Sequence, residues 1–313
     1  MNATLFKEAF SEQVVSPYEE LLAYEYLYSR NGMTLKKITA ETLGRGELPS
    51  QALRDEGGLF DIRDTPEYRK VEDYISQKIG SFDLAINGTP SWPKSLADSE
   101  RPAPLLYYRG SLSLMRVQSF SVVGSRKATK EGCKLAGELA KAFVDADMAV
   151  VTGLAAGIDT AATKAALRYS SSGLVVGVIG TPIDECYPKE NRLVVEALLD
   201  EGGLLVSQVP FYRYHIQPFK TKRYYFPERN ELMSAISDAT VIVEASDTSG
   251  TLTQARACMH QSRPLFIMRH CYDNPQLTWP KKWAQRSGVF VVESAEEIMS
   301  LMETNHFYRN CHE

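Results

Sequence analysis

Residues 119–127 read Ser-Phe-Ser-Val-Val-Gly-Ser-Arg-Lys, a short apolar run that ends in a glycine and two cations. A helical stretch follows at 132–145, and a second apolar run at 149–152 ends at Gly153. Short apolar runs that alternate with helical stretches are typical of parallel strands covered by helices on both faces. We therefore predict an α/β fold, Rossmann-like, with a doubly wound and mostly parallel sheet.

The same alternation continues toward the C-terminus. It predicts strands at 120–123, 149–152, 174–179, 204–206, 240–243, 265–267 and 289–292. It predicts helices at 132–145, 158–169, 190–200, 228–237 and 251–261. The segment 105–110 before them is interpreted as an edge strand. Because parallel sheets bind ligands outside the carboxyl ends of their strands, the loops at those ends are the candidate sites.

The first 80 residues differ from the rest because their pattern is helical. Apolar residues recur between Leu21 and Leu27, a second helix should start at Thr34, and a third should cover 67–78. We predict an N-terminal helical domain at 1–80, an extended Rossmann-like domain at 81–303 and a polar tail at 304–313. Helices separated by Asn31-Gly32 allow a DNA-binding helix-turn-helix or a packing bundle, and the bundle is favoured.

The composition limits the class of protein. Hydrophobic residues make up 44% and charged residues 24%, as in an ordinary globular chain. No apolar run is long enough to span a membrane, and the first residues lack the pattern of a secretory signal. The five cysteines are scattered and form no CxxC, which predicts reduced thiols in a cytoplasmic protein. A net charge of −4 excludes binding through bulk charge but not through a local cluster of cations.

The loop after the first parallel strand is suited to bind an anion. Gly124 and Ser125 form a strand-to-helix turn whose free N–H groups point outward, and Arg126 and Lys127 add cations. The loop lacks the second and third glycines of a dinucleotide fingerprint, and the strand ending at Thr152 is followed by no acid for a ribose. We therefore expect no NAD and no other cofactor. The simpler alternatives are a tight turn at Gly124, or Arg126 paired with an internal carboxylate such as Asp159.

Three further loops carry similar features. Gly153 and Gly157 would let another chain approach the backbone closely, and Asp159 is placed to cap a helix. Lys189 opens a helix, where a cation is tolerable if an anion lies beside it. Ser249, Gly250 and Thr251 follow a strand and again offer N–H and hydroxyl donors.

Cations cluster most strongly between residues 211 and 229. Five cations face one acid, and aromatic residues alternate with them throughout. Binders of single strands combine cations that follow the backbone with rings on which bases stack. The candidate cations are Arg213, Lys220, Lys222, Arg223 and Arg229, and the candidate stacking rings are Tyr212, Tyr214, Phe219 and Tyr224. Tyr225 and Phe226 have even chances of being core residues of the following helix.

These segments together resemble the DprA (DNA processing) family. The matching stretches are Val-Val-Gly-Ser-Arg-Lys-Ala-Thr at 122–129, Gly-Leu-Ala-Ala-Gly-Ile-Asp-Thr-Ala-Ala at 153–162, Tyr-Pro-Lys-Glu-Asn-Arg at 187–192, Phe-Pro-Glu-Arg-Asn at 226–230 and Ser-Gly-Thr-Leu-Thr-Gln-Ala at 249–255. The chain departs from the family pattern at Thr163, Gln208, Glu231 and Arg269-His270, and it resembles a divergent member without the C-terminal winged helix.

The resemblance implies an extended Rossmann fold, a homodimer and binding of single-stranded DNA without ATP. It also implies that the strand passes to a RecA-type recombinase during uptake or repair of DNA. By position in the motifs, Arg126 and Lys189 would be the residues that grip phosphate. The apolar segment 289–302 is a further reason to expect self-association.

Two alternatives use the same loops. One is a LOG-like nucleotide phosphoribohydrolase, which needs Pro-Gly-Gly and a nearby glutamate, whereas this chain has Asp247-Thr248-Ser249 and then Gln254. The other is a sensor of a free nucleotide-like ligand. No nucleophile elbow, HExxH motif or metal-spaced His/Asp cluster is present in the sequence, so we expect a protein that is not an enzyme and holds no metal.

Overall fold

The structure, a computed structural model, describes residues 15–57, 61–96, 99, 102–170 and 173–308. Within them one nine-stranded sheet has the order β1-β2-β6-β5-β4-β3-β7-β8-β9. The strands are β1 (Asp83–Ile86), β2 (Leu105–Gly110), β3 (Ser119–Val123), β4 (Ala149–Thr152), β5 (Val175–Ile179), β6 (Leu204–Ser207), β7 (Ala239–Ile242), β8 (Leu265–Met268) and β9 (Val289–Val292).

The sheet confirms the predicted α/β class. From β6 to β9, in the order of the sheet, all neighbouring strands are parallel, while β2 pairs in the antiparallel sense with both β1 and β6. Every residue of β3 to β8 is buried, as expected for strands covered on both faces. The prediction that 105–110 is an edge strand was wrong, because this strand lies between β1 and β6. The four-residue β1, beside a turn-forming Asn87-Gly88, was too short to be recognised.

The helices follow the predicted alternation. Those of the N-terminal region are α1 (Pro17–Ser29), α2 (Leu35–Glu41), α3 (Pro49–Gly57) and α4 (Pro66–Ser76). Those between the later strands are α5 (Lys130–Asp145), α6 (Ile158–Tyr169), α7 (Arg192–Asp200), α8 (Phe211–Ile216), α9 (Phe219–Lys222), α10 (Tyr225–Ile236), α11 (Thr251–His260), α12 (Arg269–Tyr272), α13 (Trp279–Trp283) and α14 (Ala295–Thr304). Among these helices, α3, α8, α9, α12, α13 and α14 were not predicted. The side chain of Ser16 caps α1 by accepting from the Glu19 N–H.

The N-terminal helices pack on the rest of the chain. Helix α1 contacts α3, α4, β1 and α8, and its apolar residues belong to the same core as the sheet. This packing supports the bundle interpretation of the region. The domain boundary near residue 80 stays a prediction, since the core runs continuously through both parts.

The stretch after residue 304 is more ordered in its first part than predicted. Phe307 packs on Phe290, and Tyr308 lies edge-on to Phe120 with its hydroxyl 4.0 Å from the sulfur of Met148. These two rings are apolar surface that the chain buries against the sheet. The tail predicted at 304–313 stays a prediction, but its residues 307 and 308 contact the rest of the chain, and residues 309–313 lie outside the described part.

A buried carboxylate links α1 to the sheet and to α8. Glu25 is fully buried and accepts hydrogen bonds from the Tyr107 hydroxyl at 2.5 Å, the Phe211 N–H at 2.8 Å and the Tyr212 N–H at 3.0 Å. Burial raises the pKa of Glu25 from 4.5 to about 7, although these three donors act in the opposite direction. The carboxyl group therefore titrates close to neutral pH.

This pKa predicts a pH dependence of stability. Between about pH 4.5 and pH 7 the folded protein holds a proton on Glu25 more tightly than the unfolded chain does. The stabilising contribution is full below pH 4.5 and is lost as pH rises through about 7, by roughly 3 kcal/mol. In denaturant titrations, Glu25→Gln should match the wild type at pH 5 and gain relative stability at pH 8. A constant difference between the two proteins across this range would contradict the prediction.

Candidate nucleic-acid interface

The centre of the site is set by the two neighbours of β3. The chain crosses from β3 to β4 on one side, and from β7 to β8 on the other. The loops after β3 and β7 therefore separate, and a cleft opens between them at the carboxyl ends of the strands. Its volume is about 710 Å³. It is lined by residues 123–127, by Ala155 and Asp159, by five residues between 226 and 233 and by six between 246 and 254.

The loop after β3 carries the exposed cations of the cleft. Gly124 has no room for a side chain, since a Cβ there would lie 2.5 Å from Ile158. The Ser125 hydroxyl accepts from the Lys127 N–H at 3.1 Å and shapes the turn. Arg126 and Lys127 are exposed, and within the described residues no carboxylate lies in ion-pairing distance of either. The alternative pairing of Arg126 with Asp159 is therefore not observed.

A smaller cavity of about 130 Å³ adjoins the cleft. The two share Arg126, Ala155, Phe226 and Arg229 as lining residues, and the Arg126 guanidinium lies 5.6 Å from the centre of the Phe226 ring. Tyr187 and Phe226 contribute rings to the small cavity, 5.7 Å apart. Phe226 is half-exposed and lines both cavities. The sequence did not decide whether this ring is a core residue or part of the site.

Arg229, one of the cations predicted to bind phosphate, is buried in the structure. The residue is 6% exposed, and its Nη1 donates to the Val178 carbonyl at 3.2 Å, while Nε has no partner within the described residues. Burial lowers the pKa of Arg229 to about 10, and the charge of Asp159 partly restores it. The guanidinium remains charged at neutral pH and lies at the base of both cavities.

The prediction that Asp159 caps a helix was wrong, because Gly157 is the N-cap of α6 and, within the described residues, no side chain bonds to the free amides there. The Asp159 carboxylate accepts from the Gly153 N–H at 3.0 Å in the loop after β4. Burial raises the pKa of Asp159, and the charge of Arg229 opposes that rise. The two buried charges stabilise each other's ionised forms, so each lowers the cost of burying the other.

The two glycines of this loop serve the chain itself, which corrects the prediction that they admit another chain. A Cβ on Gly153 would overlap the Arg229 guanidinium, at 1.4 Å from Nη1. Gly157 has φ of +79°, and a Cβ there would lie 2.2 Å from the Ser125 carbonyl oxygen. Gly153 still lines the small cavity, whereas Gly157 lines neither cavity.

The loop after β7 forms the opposite wall of the cleft. Ser249, Gly250 and Thr251 all line it, as the predicted anion site requires. The Thr251 N–H donates to the Ser249 hydroxyl at 3.1 Å, and the Thr251 hydroxyl donates to the Gly124 carbonyl at 3.2 Å. The second contact ties the two walls together. Several of the donors predicted for a ligand are therefore already used within the protein.

Lys189 is exposed at the start of a 3-10 turn that precedes α7. It lines neither cavity, although its neighbours Tyr187 and Pro188 line the small one. Within the described part of the chain it has no ion-pair partner. The structure thus places Lys189 near the site as a free cation.

The segment 211–229 divides into a buried and an exposed part. Tyr214 is 8% exposed and packs on Tyr225, so its predicted role as a base-stacking surface was wrong. Tyr212 lies edge-on to Tyr74, and Arg213 donates to the Ser29 carbonyl at 3.4 Å.

The exposed part begins at Phe219. Phe219 is 85% and Tyr224 60% exposed, consistent with the stacking surfaces that were predicted. Lys220 and Arg223 are exposed, and Lys222 lies with its ammonium 4.0 Å from the centre of the Tyr214 ring. Cations and exposed rings therefore share one short surface at 219–224.

The sequence analysis missed several residues of the cleft, among them Pro227, Asn230, Ser246, Thr253 and Gln254. They lie on α10, on α11 or in the loop before α11. Nothing in their residue types distinguishes them in the sequence from other residues near the start of a helix.

Within the described residues no group of His, Cys, Asp or Glu could hold a metal ion, and the cysteines at 133, 186, 258 and 271 are free. Cys311 lies outside this part. No helix in the same part is long and apolar enough to cross a membrane.

A family model described as DNA recombination-mediator protein A matches residues 83–303, more than half of the chain. This chain belongs to that family. DNA processing protein DprA of Bacillus subtilis is 27% identical over 279 residues, which are 88% of this chain and 88% of that protein. DNA processing protein DprA of Streptococcus pneumoniae is 32% identical over 254 residues, covering 78% of this chain and 85% of that protein.

Solved structures agree with the family assignment. The X-ray structure of the Streptococcus pneumoniae protein matches with a TM-score of 0.71 and 25% identity, over 92% of this chain and 98% of that one. A Helicobacter pylori structure, described by its single-stranded DNA binding mode, matches with a TM-score of 0.60 and 21% identity. It covers 72% of this chain and 96% of that chain, and the likeness shows the shared fold. The predicted family and fold are therefore confirmed.

The two kinds of arginine in the site predict different effects on stability. Arg229→Ala removes a buried guanidinium that donates to the Val178 carbonyl and whose charge favours the ionised form of Asp159, so it should lower the free energy of unfolding by about 1–3 kcal/mol. Arg126→Ala and Lys189→Ala remove exposed cations without ion-pair partners and should change it by less than about 0.5 kcal/mol. Thermal melts of the three variants at pH 7 test this. A melt of Arg229→Ala that coincides with the wild type would refute the structural role.

Proposed function

We propose that this chain binds single-stranded DNA without catalytic turnover and passes the strand to a RecA-type recombinase in the cytoplasm. The observation that carries the proposal is the cleft at the carboxyl ends of β3 and β7, into which Arg126 and Lys127 bring unpaired positive charge. Phosphate is the anion that such a loop suits best. The family description and the single-stranded DNA binding mode described for the Helicobacter pylori protein support the same ligand.

The surface at 219–224 favours a polymer over a free nucleotide. A single nucleotide would occupy the cleft alone, whereas a strand would also use exposed rings and cations outside it. Phe219 and Tyr224 are exposed rings on which bases can stack, and Lys220 and Arg223 are exposed beside them. The Arg223 guanidinium lies 5.4 Å from the centre of the Tyr224 ring. Stacking on an aromatic ring contributes about 1–3 kcal/mol per base and needs no particular sequence. We therefore propose that binding has little sequence preference.

Titrations with labelled DNA test the proposal. We expect the wild type to bind a single strand more tightly than the duplex of the same sequence, and free nucleotides only weakly. Arg126→Ala and Lys189→Ala should both weaken binding of the single strand. For each phosphate that a variant no longer neutralises, the dependence of log K on log salt should also become flatter by about 0.7. Fluorescence anisotropy at several salt concentrations measures both quantities.

The controls separate the alternatives. Lys134→Ala, which removes an exposed cation paired with Glu138 on α5, should leave affinity and salt slope unchanged. Equal affinity for single strand and duplex would contradict the proposal. Tight binding of a free nucleotide would favour the sensor, and release of base from nucleoside monophosphates that persists after repurification would favour the phosphoribohydrolase.

We also propose that the chain forms a homodimer. The family resemblance supports this, and so does the position of β9 at an edge of the sheet, where its outer backbone groups can pair. The segment 289–302 supports it less than the sequence suggested, because Val292, Ile298 and Met302 face the core. Light scattering at micromolar concentration should give the mass of a dimer. A monomeric mass at that concentration would count against it.

A further inference from the structure

Helix α8, the first part of the segment 211–229, begins on a carboxylate from the N-terminal region. Glu25 of α1 accepts from the Phe211 N–H at 2.8 Å and the Tyr212 N–H at 3.0 Å, the first two amides of α8. The Tyr107 hydroxyl donates to the same carboxylate at 2.5 Å and fixes its orientation. Burying a carboxylate costs free energy unless its oxygens accept hydrogen bonds, and here they accept three.

Other contacts from the N-terminal region reach the side chains of α8 at both of its ends. The Tyr74 ring stacks on His215 at 4.7 Å and lies edge-on to Tyr212 at 5.6 Å. The Lys78 ammonium lies 5.7 Å from the centre of the Phe211 ring and pairs with Asp184 at 2.6 Å. Together with the bond from Arg213 to the Ser29 carbonyl, these contacts fix α8 from α1, from α4 and from the residues that follow α4.

The position of α8 in turn sets that of the exposed surface at 219–224. Only Gln217 and Pro218 separate α8 from α9. The Lys222 ammonium lies on the face of Tyr214, a residue of α8, at 4.0 Å, and Tyr225 packs on the same ring at 5.8 Å. The cations and exposed rings of this surface therefore follow directly on a helix that the N-terminal helices hold.

We propose that Glu25 is a positioning residue for DNA binding, through which the N-terminal helices hold the surface at 219–224 in its binding conformation. The consequence for affinity rests on the proposed function, but the structural link does not. Glu25 itself is fully buried and touches no ligand. Its effect passes through the two amides of α8.

The substitution Glu25→Gln isolates this link. A glutamine side chain has the same shape but places an NH₂ group where one carboxylate oxygen accepted, so one of the two α8 amides loses its acceptor. At pH 8 the substitution also removes a buried charge, so we expect it not to lower the free energy of unfolding. A local change in hydrogen exchange can then be told apart from global unfolding. Glu20→Gln is the matched control, because Glu20 is also buried on α1 but bonds to Ser50, at 2.9 Å to its N–H and 2.6 Å to its hydroxyl.

Two measurements at pH 8 test the proposal on the full chain. Hydrogen exchange should be faster at 211–224 in Glu25→Gln and unchanged there in Glu20→Gln. Anisotropy with labelled oligo(dT) should show weaker binding for Glu25→Gln, with a salt slope flatter by about 0.7 for each phosphate that is no longer bound, and wild-type binding for Glu20→Gln. Tyr74→Ala, which acts on α8 from another helix, should change exchange and binding in the same direction.

The outcomes are separable. Equal affinity of Glu25→Gln and Glu20→Gln, or unchanged exchange at 211–224 in Glu25→Gln, would overturn the positioning role. If Glu25→Gln fails to fold, unchanged exchange and binding in Tyr74→Ala would overturn it instead. A wild type that does not bind oligo(dT) would contradict the proposed function, while the exchange comparison would still decide whether Glu25 orders the segment.

Discussion

The direction in which the chain leaves β3 and β7 is the constraint on which the site depends. Both strands are buried on both faces and end at the same edge of the sheet, yet their connections run to opposite sides. No loop can fill the space between them, so a cleft follows from the strand order. The side chains then decide what the cleft can bind, and its walls are joined by the bond from the Thr251 hydroxyl to the Gly124 carbonyl.

The two arginines of the site have different roles because one is buried and the other is exposed. Arg229 is buried beside Asp159, and the loop after β4 passes so close that Gly153 has no space for a Cβ. Arg126 lies on the surface above it, and its positive charge lowers the pKa of Arg229 further. An anion placed between the two would relieve that repulsion. The buried arginine thus supports the loop and contributes positive potential, while the exposed one is free to contact a ligand.

The sequence predicted the sheet and its loops because both leave local signals. Apolar runs bounded by glycine marked β3 and β4, and the cationic loop after β3 was evident from four residues. Burial within the segment 211–229 was not predictable, because Tyr214 and Tyr224 have the same residue type and similar neighbours in sequence. What separates them is the packing of Tyr214 against Tyr225, which depends on how the segment folds back on itself. The role of Glu25 was missed for a related reason, since an acid in an amino-acid sequence does not reveal donors that lie more than eighty positions away.

The overall charge of −4 is compatible with a cationic site because many surface charges cancel locally. On α5 and α7, Lys134, Lys141 and Arg192 each pair with an acid one turn later. Such exposed pairs add little to stability, but because the two charges cancel they leave little net electrostatic field around them. The exposed cations at 126–127 and 220–223 have no such partners within the described residues.

The segment 211–229 joins the two parts of the molecule. Its first helix packs on the N-terminal helices, and its last, α10, supplies Phe226 and Arg229 to the cleft. The packing of Tyr214 on Tyr225 links α8 to α10, so the N-terminal helices and the wall of the cleft are connected by contiguous contacts.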